Sequence, residues 1–163
     1  MTIVRLSWRE VRLAAFAAVD RRIFALANRL PDHHGRPSAE RGWEVDIQGI
    51  LGEFVVCRLF DCYWPGGVPK SETSGDASRL QVRSTVHENG GLIVYADDVD
   101  DAPFILVVGV PPQFRVAGWL AGREAKRDRW RKPEWIGEPF LVPQSQLRPI
   151  SELVDAPRSE MPS

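Results

Sequence analysis

The run Leu80-Gln81-Val82-Arg83-Ser84-Thr85-Val86 decides what kind of fold this chain can adopt. Leu80, Val82, Ser84 and Val86 fall on one side of an extended backbone and Gln81, Arg83 and Thr85 on the other, because strand side chains alternate. Asn89-Gly90 then carries the signal of a two-residue hairpin turn, and Gly91 to Ala96 supplies the return strand. Past the acidic loop Asp97-Asp98-Val99-Asp100-Asp101, Phe104 to Val110 is an unbroken apolar run of strand length. Such a run is expected of a central strand buried on both faces. Phe114 to Leu120 alternates as a further strand, Ala121 to Arg131 predicts a helix, and Pro139 to Val142 a short last strand.

Upstream the period changes to that of a helix. Ser7 with Glu10 is a capping-box pair, and Val11, Ala14, Ala15, Ala18, Val19, Ile23, Leu26 and Ala27 recur at helical spacing with arginines opposite. A helix is expected from Trp8 to Asn28. Pro31 to Ala39, which includes His33-His34, reads as a loop. A second helix is expected from Trp43 to Phe60, with Ile47, Ile50, Leu51, Phe54, Val55 and Leu59 buried on most sides. Gly49 and Gly52 weaken it in isolation but let a neighbouring backbone come close. Trp64-Pro65-Gly66-Gly67 and the polar stretch Lys70 to Ser78 are turn-rich. The order of elements predicts an α+β (mixed α/β) fold, a small central mixed sheet flanked by helices. One domain is expected over residues 1–154, with a flexible tail over 155–163.

Composition narrows the function. The chain has 163 residues, 44% hydrophobic and 26% charged, the balance of one soluble globular domain. No run approaches the length of a membrane span, and Arg5, Arg9, Arg12, Arg21 and Arg22 interrupt the apolar positions a signal peptide would need. Cys57 and Cys62 are too close in sequence for a useful bridge, so reduced thiols in a cytoplasmic protein are expected. With a net charge of −1, any nucleic-acid contact must be local.

The stretch Gly75-Asp76-Ala77-Ser78-Arg79-Leu80-Gln81-Val82-Arg83 carries the candidate chemistry. A hard divalent cation takes oxygen ligands, and Asp76 offers a carboxylate, Gln81 an amide oxygen and Val82 a backbone carbonyl. Arg83 would stand beside the metal, able to meet a phosphate. Glu53 sits in a mostly apolar helix, where burial needs a partner. It would be a third ligand, or else reach the surface or pair with an arginine. A solvated strand face is the plain alternative for Gln81 and Arg83.

These residues resemble the PD-(D/E)XK nuclease superfamily, and small phage and bacterial proteins of that fold in particular. The resemblance covers about Gly49 to Leu147. It is carried by Gly49-Ile50-Leu51-Gly52-Glu53-Phe54-Val55-Val56, by Asp76 and by Gln81-Val82-Arg83-Ser84-Thr85, with Gly91-Leu92-Ile93-Val94 and Val116-Ala117-Gly118-Trp119-Leu120 downstream. It implies a restriction-endonuclease-like core and a Mg²⁺- or Mn²⁺-dependent nuclease that hydrolyses phosphodiester bonds in DNA. Glu53, Asp76, Gln81 and Val82 would hold the metal, and Arg83 would complete the catalytic set. The alternative is an inactive protein of the same fold that binds nucleic acid or a protein partner. Gln81 stands where the second acidic ligand would be, which removes a negative charge. Arg83 stands where the lysine would be, and a guanidinium cannot act as a base.

Other constellations are weaker. His33-His34 with Cys57 and Cys62 fits no zinc spacing. The acidic loop lacks the glycine and terminal glutamate of a calcium loop and reads as a solvated turn. Lys126, Arg127, Arg129, Arg131 and Lys132, with Trp130 and Trp135 among them, are either a solvated helix with internal ion pairs or a DNA-tracking surface.

Overall fold

The computed structural model describes residues 2–30, 42–64 and 80–154. It is an α+β structure with a four-stranded mixed sheet. The strands are β1 (Thr2–Arg5), β2 (Gln81–Thr85), β3 (Leu92–Val94), β4 (Pro103–Val110), β5 (Gln113–Ala121) and β6 (Phe140–Val142), and the helices α1 (Trp8–Ala27), α2 (Trp43–Leu59), α3 (Gly122–Ala125) and α4 (Ser151–Val154). The main sheet runs β1-β5-β4-β2, and β3 pairs with β6 in a separate ribbon. β2 lies parallel to β4, with Gln81 opposite Phe104 and Arg83 opposite Leu106, while β4 and β5 are antiparallel.

Two cores lie on opposite faces of this sheet, because β4 is apolar on both sides. Ile105 and Val107 join Ala14, Ala18, Ile50, Leu51, Val55 and Phe114 beneath α1 and α2. Phe104, Leu106 and Val108 join Leu92, Val94, Trp130, Phe140 and Val142 on the far face. β5 serves both through a register shift beside Leu106 and Val107, where Val116 pairs with Val107 and Gly118 with Leu106. Ala117 is the extra residue, so Phe114 and Val116 face the helices while Leu120 faces away. Gly118 has a φ of +151, and a Cβ there would meet the carbonyl oxygen of Arg148 at 2.4 Å. Only glycine fits that approach.

Three sequence expectations change, and one strand is additional. Asn89-Gly90 does turn the chain, with Gly90 N–H donating to the His87 carbonyl, but the strands on either side do not pair. Leu92 and Val94 are fully buried in the far core against β6, so side-chain burial carries β3 under the sheet rather than along its edge. The helix expected from Ala121 to Arg131 is the short α3 followed by a 3-10 turn at Asp128–Trp130, which seats Trp130 in the far core. β1 carries no sequence signal strong enough to predict; it is ordered by pairing with β5. On α1 the buried face is Ala14, Ala18 and Arg22, and Ile23 and Leu26 point outward instead. The expected tail lies outside the described residues.

Candidate functional site

α2 approaches β2 closely because of Gly52. A Cβ at that position would come within 2.9 Å of the Ser84 Cβ and 3.4 Å of a Val82 methyl. Ser84 Oγ donates to the Gln48 carbonyl at 2.9 Å, fixing helix to strand. Glu53, the next residue, projects about 100° further round the helix. Its carboxylate meets Arg21 of α1, with Nη1 and Nη2 at 3.3 and 3.4 Å from the two oxygens, and it remains 39% exposed. The arginine partner expected as one alternative for Glu53 is therefore present. A second interhelical pair is deeper. Arg22, only 5% exposed, lies 3.1 Å from Asp46, with Trp43 beside it.

Val82 and Ser84 face α2, so alternation puts Gln81 and Arg83 on the opposite face. Arg83 follows that rule. Its Nη2 donates to both oxygens of Asp98, at 2.9 and 2.8 Å, and its Nε to the Ile93 carbonyl at 3.2 Å. The guanidinium lies 5.1 Å from the Phe104 ring centre, within the far core's rim. The Val82 carbonyl accepts a longer bond from Arg83 Nη1, at 3.4 Å. Gln81 is half-buried at the start of β2, on Arg83's face.

Asp98 is the residue the sequence reading missed. Besides Arg83 it accepts from the Tyr95 N–H at 2.8 Å and so closes the turn after β3. Lys126 completes the arrangement. Its ammonium donates to the carbonyls of Ala96 and Asp98 and to the Asp100 carboxylate at 2.6 Å. Arg123 pairs with Asp101 at 2.9 Å. Asp97, Val99, Asp100 and Asp101 are exposed, as a solvated turn would be, while Arg83 and Lys126 hold the loop through Asp98 and the backbone. A cluster of aspartates within reach of basic residues far along the chain was the available signal, but sequence spacing cannot show that they meet.

In the basic stretch, the cations divide. Lys126 is bound into the acidic loop, and Arg131 pairs with Glu138. Arg127 and Arg129 are exposed, with guanidinium carbons 5.6 and 4.3 Å from the Trp130 ring centre, and Arg129 also makes a long bond to Gln146. Lys132 donates its backbone N–H to the Pro139 carbonyl. The stretch is held by loops and stacking, not by a continuous helix.

Among the described residues no three His, Cys, Asp or Glu side chains gather as a metal-binding group. Asp76 and His33-His34 lie outside those residues. Of the described ligand set, Glu53 lies over one face of the sheet with an arginine on its carboxylate, and Gln81 shares the other face with Arg83. Cys57 is buried, Cys62 half-buried, and both are free thiols. No helix among the described residues is long and apolar enough to cross a membrane. Comparison with protein-family models, with curated proteins and with solved structures finds no match to this chain.

Proposed function

We propose that this chain is a cytoplasmic, nuclease-like protein that binds nucleic acid without hydrolysing it. The observation that carries the reading is the two-oxygen bond between Arg83 and Asp98. In the nuclease reading, Arg83 would face a metal and a phosphate. Here its guanidinium already has a carboxylate, a carbonyl and an aromatic ring as partners. Glu53 is likewise matched to Arg21. Of the motif positions, Arg83 thus holds a turn and Glu53 joins two helices, and in this reading a restriction-endonuclease-like core serves as scaffold. Binding falls to Arg127 and Arg129, whose stacking on Trp130 holds the guanidinium planes while leaving N–H donors for phosphates.

The test combines fluorescence anisotropy on labelled single- and double-stranded DNA with a plasmid-nicking assay in Mg²⁺, Mn²⁺ or EDTA. Binding is expected to be insensitive to EDTA, with no nicking under any condition. The double variant Arg127→Ala/Arg129→Ala should lower affinity and reduce the slope of log K against log salt by up to about two, one for each lost phosphate contact. Nicking that needs Mg²⁺ and stops with EDTA would replace this reading with the metal-dependent nuclease. Absence of DNA binding at low salt would reject both.

A further inference from the structure

Helix α2 ends in a turn that brings two thiols together. Phe60 caps the helix, and Asp61 follows with a φ of +48, the left-handed conformation that reverses the chain. The Cys62 N–H then donates back to the Cys57 carbonyl at 2.9 Å, and the Asp61 N–H to the Arg58 carbonyl at 3.4 Å. This closure is the Schellman pattern, whose first and last side chains pack on each other, commonly as an apolar pair. Here both are cysteines, and their thiols share a hydrogen bond. Standard backbone dimensions added to the 2.9 Å bond hold the two Cα atoms at most about 6.8 Å apart, within the span of a disulfide.

We propose that Cys57 and Cys62 form a reversible redox site, a dithiol that peroxide oxidises to an intramolecular disulfide. Exposure divides the roles. Cys62 is half-buried and open to a small oxidant, whereas Cys57 is buried. The Cys62 thiolate attacks one peroxide oxygen, the O–O bond breaks, and departing hydroxide leaves a sulfenic acid on Cys62. The Cys57 sulfur then attacks the Cys62 sulfur and the S–O bond breaks. The departing oxygen takes the Cys57 proton, which the shared hydrogen bond holds beside it, and leaves as water. In sum the two thiols give up two electrons and two protons, and one peroxide becomes two waters. A dithiol reductant reverses the step by exchange. The short spacing that makes this bridge a poor staple does not count against a reversible one. Such a ring closes readily even in an unfolded chain, so what the native turn adds is the measure of the site. The inference is independent of nucleic-acid binding, which is assigned to the surface around Trp130.

Equilibration of the full chain in glutathione redox buffers, natively and in concentrated urea, tests it. The folded chain should close the Cys57–Cys62 bond with an equilibrium constant more than about tenfold above that of the unfolded chain, because the turn holds both sulfurs in place. Asp61→Val, which disfavours a left-handed residue, should lower the native constant, and Asp61→Gly should not. Stoichiometric peroxide should form the same bond, read by mass spectrometry as a loss of two hydrogens. In Cys57→Ser it should instead leave a sulfenic acid on Cys62 that dimedone traps, whereas Cys62→Ser should resist oxidation. Closure no more favourable in the folded chain than in urea overturns the inference, as does oxidation that ends in glutathione adducts or cross-linked dimers at Cys62. A sulfenic acid trapped in Cys62→Ser but not in Cys57→Ser overturns the order of attack.

Discussion

The guanidinium of Arg83 donates to Asp98 and Ile93 and lies over Phe104, and none of these partners is near it in sequence. The alternation of β2 told that Arg83 shares a face with Gln81. It could not tell that the face looks onto a second core with a turn waiting at its rim. Removing the guanidinium leaves Asp98 half-buried with one fewer cation. Arg83→Ala should therefore lower unfolding stability by about 1.5–3 kcal/mol, and Arg83→Lys should recover only part, since an ammonium lacks the planar fork. Urea unfolding at neutral pH measures both, and unchanged stability in Arg83→Ala would return this residue to the catalytic set. Cys57 gives a second residue-scale prediction. Burial, then the neighbouring Cys62 and the charge of Glu53, push its thiol up from an ordinary 9.0 to about 12. The unfolded chain would lose that proton near pH 9 and the native chain would not, so this contribution to stability is complete below pH 9 and falls away as pH rises toward 12. Alkylation at pH 8.5 should accordingly label Cys62 and spare Cys57 until the protein is unfolded. Equal labelling of both thiols would contradict the burial of Cys57.

Elements whose signals are local were legible; those that depend on distant partners were not. The Ser7–Glu10 capping box is present in full, with Ser7 N–H donating to the Glu10 carboxylate and Glu10 N–H to Ser7 Oγ. Its helix starts at Trp8 as the pattern required. Phe104 to Val108 are buried on both faces as the composition implied, while Gly109 is half-buried and Val110 exposed at the end of the strand. The β2–β3 hairpin failed because a turn fixes direction but not pairing, and the buried faces of Leu92 and Val94 chose β6. The α1 face failed for a related reason. Alanines pack close to α2, so the small residues were buried and the large ones left outside. Asp76 cannot be weighed by such arguments, lying outside the described residues. The capping box carries its own prediction. Burial alone would raise the Glu10 pKa, but hydrogen bonds from Ser7 and the charge of Arg58 outweigh it and hold the carboxyl below its ordinary 4.5. Its contribution is present at neutral pH and is lost as pH falls through the depressed native value. Ser7→Ala should cost about 1 kcal/mol at pH 7 and less in acid, where the paired carboxylate has gone. A cost that does not change with pH would separate the cap from Glu10's ionisation.

The described residues form two apolar layers that share β4 and β5, with β4 the strand buried in both, and that arrangement governs how they should unfold. β4 sends Ile105 and Val107 into the helical layer and Phe104, Leu106 and Val108 into the other. Neither layer can lose β4 without exposing apolar surface in both, so the described core should unfold in one cooperative step. Leu106→Ala and Val107→Ala make this measurable, because adjacent side chains point into different cores. Each leaves a cavity at a fully packed site, and Leu106→Ala should cost about 2–5 kcal/mol. The deciding quantity is where the loss is felt. Trp130 reports the far layer, and Trp64 and Trp119 pack against the helical one. In the background Trp130→Phe, fluorescence is weighted to the helical side, and far-UV circular dichroism follows both helices and strands. If β4 couples the layers, Leu106→Ala in that background should shift the fluorescence and dichroism transitions together, by the same denaturant increment. A helical-side transition left in place while dichroism loses part of its amplitude early would show that the far layer opens alone. β3, β6 and the turn latched by Arg83 would then be a separately folding unit, and the two-face role of β4 would not be enough to bind the layers into one.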